Sequence, residues 1–204
     1  MEEFQSTQHY DVSRETSQKL SVLAALVRKW SRAINLIGRE TLADIETRHI
    51  GDSLFLTSCK DGADDWLDLG SGAGFPGLVV AIQSQGNRHV TLVESDLRKC
   101  EFLSAVKREL SLNVNVIRGR IEEIKPQKAP VISARALAPL PKLLEFCFRH
   151  AVPSSTLLLP KGENWPKEVD DSRTDWSYDL DVLENPVAAG SVVLKIENLA
   201  RMSV

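Results

Sequence analysis

The sequence predicts an α/β fold, a mostly parallel sheet covered on both faces and preceded by a helical cap. Three observations carry this. From Asp65 onward, short β-rich runs alternate with helical segments, the pattern of parallel strands joined by crossover helices. Before Asp65 the apolar residues keep helical spacing and no strand-like run occurs. The last two apolar runs follow each other with no helix between them, as a closing antiparallel pair does.

Taken in order, residues 12–34 carry Leu20, Leu23, Leu26, Val27, Trp30 and Ile34 on one stripe, with Arg28, Lys29 and Arg32 mostly off it. A second helical stretch is expected over 39–48. A third should begin after Asp52 or Ser53, both good N-cap types, and run through "LFLTSC". Five strands follow: "WLDL", "HVTLVE", "NVNVI", "PVISA" and "STLLLP", with helices near 77–84, 97–110 and 140–150. "WSYDLDVL" and "SVVLKIENL" bring the strands to seven. No repeat or flexible linker interrupts this, so one domain is expected over 1–204, with the cap at 10–58 and the α/β core at 64–204.

Composition narrows the function classes. A hydrophobic fraction of 43% suffices for a core. The start "MEEFQSTQHYDVSRE" is polar and acidic, unlike a secretory signal, and no apolar run approaches the ~20 residues that span a bilayer. Cys59, Cys100 and Cys147 are scattered without metal-ligand spacing, as reduced thiols in a cytoplasmic protein are. No membrane or metal partner is expected. The net charge is −3, but residues 163–184 alone hold eight acids against Lys167 and Arg173, so the rest of the chain carries +3. A mildly basic body with one acidic segment is compatible with an RNA partner, and equally with plain surface charge.

The stretch "DLGSGAGFPG", residues 68–77, holds the chemistry. A strand, a glycine-rich turn and a helix form a nucleotide-binding arrangement, because glycine lets the backbone turn tightly and approach a ligand closely. Gly70, Gly72 and Gly74 fit the G-x-G-x-G form of S-adenosylmethionine enzymes; Gly72, Gly74 and Gly77 fit the dinucleotide form G-x-G-x-x-G. Glu94 ends the next strand, 22 residues beyond Gly72, where an acid grips ribose hydroxyls in either case. Asp68 precedes the first glycine, where methyl-donor enzymes carry an acid near the cofactor's amino-acid end. Pro76 removes a helix N-terminal N–H that a pyrophosphate would use. These details favour the methyl donor over an oxidoreductase's dinucleotide.

With "INLIG", "RHIGDSL", "DLGSGAGFPG", "VTLVESDLRKCEFL", "ARALAPL" and "LPKGEN" in that order, the chain resembles the RsmG (GidB) family of bacterial 16S ribosomal RNA guanine-N7 methyltransferases over about residues 20–165. The resemblance implies a Rossmann-like class I methyltransferase fold and S-adenosylmethionine as cofactor, in a pocket made by Gly70, Phe75, Ile121, Glu122 and Arg135. It implies 16S ribosomal RNA or the small subunit as partner; a monomer is expected. Arg135 could pair with the methionine carboxylate or orient the target base, or be a surface ion pair. Rival readings are a methyltransferase of another substrate, a dinucleotide-dependent oxidoreductase, and an assembly factor without catalysis.

Methylation at a guanine N7 needs no proton transfer at that atom, so no general base is expected and none of His9, His49, His89 and His150 needs a catalytic role. His49, in "RHIGDSL", is read as an interhelical hydrogen bond or cap, with base contact as the alternative. Candidate RNA contacts are Arg28, Lys29, Arg32, Arg48, His49, Arg98, Lys99 and Lys161.

Overall fold

The computed structural model describes residues 12–62, 64–186, 188 and 190–202. His9 lies outside the described residues. Helix α1 (Arg14–Trp30) starts at Ser13, whose hydroxyl accepts from the Thr16 amide at 3.2 Å. Ile34 falls beyond its end, in the turn that follows. Helix α2 (Arg39–Leu42) is a single turn, and a π-helical turn (Glu46–Gly51) leads without a break into α3 (Asp52–Ser58). The expected N-cap at Asp52 or Ser53 is therefore corrected. Both residues are already helical; the Ser53 hydroxyl donates back to the His49 carbonyl at 2.5 Å, and the Asp52 side chain turns away to the α/β core.

The core then alternates β1 (Trp66–Leu69), α4 (Gly77–Gln83), β2 (Val90–Glu94), α5 (Leu97–Glu109), β3 (Val114–Arg118), β4 (Ala129–Ala134), α6 (Leu140–His150) and β5 (Ala151–Lys161). Helix α7 (Trp165–Ser172) precedes the hairpin β6 (Trp176–Glu184) and β7 (Val192–Arg201). The seven strands lie in the order β3-β2-β1-β4-β5-β7-β6. β1 to β5 are parallel, and β7 is antiparallel to both neighbours. The fold class is as expected. Helix α7 is the element missing from the sequence reading, since its eight residues "WPKEVDDS" are mostly polar and bury only Val169 and Ser172.

Two apolar layers flank the sheet. On one face α4 and α5 pack with the cap, where Leu20, Leu23 and Val27 of α1 are wholly buried in the cluster that holds Phe102, Val79 and Trp66. On the other, Leu140, Leu143 and Leu144 of α6 pack on Leu67, Leu69 and Ile132. The chain runs outward from β1 to β3 and then returns to place β4 on the other side of β1. This reversal is the switch point at which open α/β sheets leave a crevice beyond the strands' carboxyl ends.

Asp68 ties that switch point together from inside. It is wholly buried; one carboxylate oxygen accepts from the Ser133 hydroxyl of β4 at 2.7 Å and the other from the Gly77 amide of α4 at 3.3 Å. Ser133 in turn accepts from the Trp66 indole at 2.8 Å. A side chain at Gly77 would bring a Cβ to 2.9 Å from the Asp68 Cβ, so the glycine is what admits this packing. The placement of Asp68 near a cofactor's amino-acid end is corrected, because its strand position aims it at α4.

Burial pushes the Asp68 carboxyl up to about 6, against the hydrogen bonds that favour its charged form. The folded protein thus keeps a proton that the unfolded chain releases near pH 4, and stability from this group falls as pH rises from about 4 to 6. Asp68→Asn cannot ionise. Its stability relative to the wild type should improve by about 2 kcal/mol between pH 4 and 6.5, read from urea melts. A pH-independent difference would show that Asp68 is ionised in the folded protein throughout.

Candidate functional site

Two adjoining hollows open at the carboxyl ends of the central strands. The first, of about 470 Å³, is lined by Gly70 and Gly72 after β1, Glu94 and Lys99 around β2, and Ile121 and Glu122 after β3. The second, of about 490 Å³, is lined by Asp52, Arg135, Lys161 and Glu168, with Leu137, Pro139 and Pro160 as apolar walls. Ala136, Leu137 and Ala138 line both, so this short loop after β4 is the partition. Ala136 itself sits at φ +50°, a left-handed conformation that non-glycine residues adopt rarely and mostly where the surroundings impose it.

Glu94 shapes the first hollow. It is only 8% exposed, and its carboxylate accepts from the Gly72 amide at 2.8 Å, the Ser95 amide at 2.7 Å and the Asp96 amide at 2.9 Å. One anion thus latches the β1 turn to the β2 turn. Gly70, at φ +66°, would bring a Cβ to 2.7 Å from the Leu137 side chain, so only glycine lets the turn and the partition meet. Below Ile121 lies His150, a residue without a sequence signal for function. The Gln127 amide donates to His150 Nδ1 at 3.2 Å, so Nε2 carries the proton and donates to the Ile121 carbonyl at 2.9 Å. Burial lowers the His150 pKa, in keeping with this neutral form.

The second hollow depends on the cap. Arg135 Nη2 donates to the Arg48 carbonyl at 2.8 Å and lies 3.4 Å from Asp52 Oδ2. Asp52 Oδ1 accepts from the Asn185 amide side chain at 2.8 Å, across 133 residues. Arg135 Nη1 is buried with no partner among the described residues, a donor left over after the guanidinium is anchored. Burial raises the Asp52 pKa, and the positive charge of Arg135 opposes that. His49 lies flat against Phe75, with ring centres 5.1 Å apart, and its Nε2 is also buried without a partner. Burial, then the charges of Arg135 and Arg48, lower its pKa to about 4.

The structure gathers the anticipated residues unevenly. Gly70, Gly72, Glu94, Ile121, Glu122 and Lys99 share the first hollow; Arg135 and Lys161 share the second. Phe75 is outside both linings, 6% exposed and stacked against His49. Arg48 is exposed on the π-helical turn beside Arg135, and Arg98 is exposed on the first turn of α5. Arg28 is 2.5 Å from Glu46, which makes it a clasp between α1 and the π-helical turn; Lys29 and Arg32 are exposed near the end of α1. The Lys161 side chain is 10% exposed and donates to the Ala138 carbonyl at 3.0 Å and Glu168 at 2.7 Å, so it props the partition. Asn185, Lys142 and Phe146 were not anticipated. The last two lie on α6 and line the first hollow, on a helix whose periodicity announces only a core face.

Removing the latch tests the first hollow. Glu94→Ala should weaken binding of S-adenosylhomocysteine about 10- to 100-fold by calorimetry, since up to three charge-assisted bonds at ~1.5–3 kcal/mol each hold the turn. An unchanged affinity would place the ligand elsewhere.

Comparison with known proteins then gives this architecture a family. Residues 16–192 match the GidB family model, described as rRNA small subunit methyltransferase G. A protein named ribosomal RNA small subunit methyltransferase G from Cereibacter sphaeroides is 48% identical over 197 residues, covering 94% of this chain and 95% of its own. Its namesake from Paracoccus denitrificans is 45% identical over 190 residues, covering 92% and 97%. Among solved structures, a SAM-dependent methyltransferase from Aquifex aeolicus superposes with a TM-score of 0.57 at 17% identity, covering 85% of this chain and 98% of its own. M. jannaschii TYW2, solved with AdoMet, gives 0.58 at 14% identity over 76% of each chain. These two likenesses speak for the fold. The chain belongs to the GidB family of rRNA small subunit methyltransferases G.

Proposed function

We propose that this protein transfers a methyl group from S-adenosylmethionine to N7 of a guanine in 16S ribosomal RNA. The observation that carries the reading is the shared wall. The glycine-turn hollow and the arginine hollow both have Ala136–Ala138 in their walls, so a donor in one and a base in the other would be neighbours.

The residues present fit the donor. The Gly70 turn leaves room that a Cβ would fill, the Glu94 carboxylate stands at the end of β2 where ribose hydroxyls are gripped, and Ile121 and Glu122 supply an apolar side chain and a carboxylate for an adenine. Bound there, S-adenosylmethionine supplies an electrophilic methyl group. Guanine N7 has a lone pair and no proton, so it would accept that group without a base, and the purine would take up the positive charge. The chain's task is alignment and a tolerant electrostatic setting. Arg135 is suited to it: with Nη2 anchored on Arg48 and Asp52, Nη1 remains free to hold an acceptor, whether the methionine carboxylate or the guanine O6. His49, neutral at physiological pH, adds no charge there.

Lys99 lines the first hollow, Arg98 is exposed beside it in sequence, and Arg48 is exposed next to Arg135; these three suit RNA phosphates. The catalytic unit is read as a monomer. The place of action is the cytoplasm, where small subunits are assembled; among the described residues no helix is long and apolar enough to cross a membrane.

Nucleoside mass mapping of 16S ribosomal RNA from cells with and without the protein tests the reading, with loss of one 7-methylguanosine expected. Donor binding without that product would support the assembly-factor rival. The anchoring of Arg135 has its own test. Asp52→Asn keeps the acceptor for Asn185 but removes the charge facing Arg135, and should lower kcat/KM about 10-fold. In an Arg135→Lys background that effect should largely vanish; additive losses would mean that Asp52 acts through another group.

A further inference from the structure

The two hollows account for a donor and one nucleotide, yet a ribosomal RNA is a polymer. Nucleotides flanking the target must cross the protein surface beside the site. One groove there has chemistry that neither the cap nor the cofactor uses. It lies at the open edge of the sheet, where β3 pairs with β2 alone, and is bounded by α5 and the end of α1, with a volume of about 480 Å³.

Its construction follows from the outer stripe of α5. Ser104 and Ala105 lie in mid-stripe and leave a shallow floor, because neither has side chain enough to fill it. Trp30 lines the groove; it is half-buried and meets Phe102 edge-on, with ring centres 5.6 Å apart. Arg108 of α5 and Arg118 at the end of β3 also line it. Both are exposed, and among the described residues neither guanidinium has a side-chain hydrogen bond or ion pair. Glu101 is the one acid in the lining, so the groove is net cationic. It also continues the catalytic rim: Arg118 is followed at once by Gly119 and Arg120, which line the donor hollow, and Leu97 and Cys100 of the groove flank Lys99 of that hollow.

We propose that this groove seats an unpaired nucleotide of the RNA substrate, its base against Trp30 and its phosphates on Arg108 and Arg118. The proposal rests on the reading of the protein as a ribosomal RNA methyltransferase and adds a second contact point to it. An aromatic ring beside unpaired guanidiniums is the composition that binds single-stranded nucleic acid, through stacking and phosphate pairing. A protein segment adding a strand to β3 is the competing occupant. It would leave two guanidiniums without counter-charge, whereas a polyanion neutralises both. Arginine in place of lysine suits planar, bidentate contact with phosphate.

Two variants separate shape from charge. Ala105→Trp fills the floor and leaves the charge unchanged; Arg108→Glu with Arg118→Glu reverses the charge on exposed positions and keeps the test decisive if the tryptophan disturbs α5. The probe is naked 16S ribosomal RNA in filter binding at several salt concentrations, with S-adenosylhomocysteine affinity as the control. Both variants should bind the RNA at least about 10-fold more weakly while keeping wild-type affinity for S-adenosylhomocysteine, and the charge reversal should lower the salt slope by about 1.4, ~0.7 for each lost phosphate contact on a single strand. Wild-type RNA affinity in both variants overturns the proposal. So does a loss seen only with intact small subunits and not with naked RNA, which would identify a protein occupant. Failure of the methyltransferase reading is a separate result: wild-type protein that binds the RNA and the cofactor but yields no 7-methylguanosine.

Discussion

The site depends on one buried carboxylate. Glu94 ends β2 with its side chain turned back over the strand ends, where it accepts from the amides of Gly72, Ser95 and Asp96. An anion 8% exposed is costly unless such donors surround it, and three backbone N–H groups supply that compensation. In return the carboxylate holds the glycine turn after β1 in a conformation that its own residues do not enforce, since Gly70, Gly72 and Gly74 all have positive φ and glycine permits many others. The latch replaces the order that the missing side chains would have given.

The same economy recurs at the other face of the switch point. Asp68, Ser133 and Trp66 form a buried chain of hydrogen bonds that fixes β1 against β4 and the start of α4. None of the three reaches the hollows. They hold the strands whose ends define them, which is why a carboxylate beside the glycine turn is structural here although its position in the sequence suggested contact with the ligand. Arg135 repeats the pattern at the second hollow. Its partners Arg48 and Asp52 come from the cap, and Asn185, from the connection between β6 and β7, holds Asp52 in turn, so two distant parts of the chain support one guanidinium.

The cap therefore does more than cover α4 and α5. Its π-helical turn carries Arg48 and His49, and Asp52 follows at once as the first residue of α3, with His49 stacked on Phe75. The extra residue in a π turn shifts the following helix relative to regular α geometry, and such turns recur at functional sites. Burial of His49 against Phe75, with the charges of Arg135 and Arg48 near it, keeps it neutral, which suits the proposed transfer to an atom that has no proton to lose.

The sequence by itself determined the fold class, because alternation of strand and helix patterns leaves a parallel sheet as the economical solution, and it determined the glycine turn and Glu94, because both lie within one βαβ unit where spacing along the chain is spacing in the structure. It also marked Arg135, through a motif. Helix α7 escaped because a short polar helix leaves almost no periodic trace. What only the tertiary structure decided is which of the charged residues are spent on partners within the chain: Asp68 on α4, Arg28 on Glu46, Lys161 on Glu168, Asp52 on Arg135 and Asn185. Those pairings join residues from 7 to 133 positions apart. A charge looks the same in a sequence whether it faces water or a partner, and only the folded chain brings the partner near.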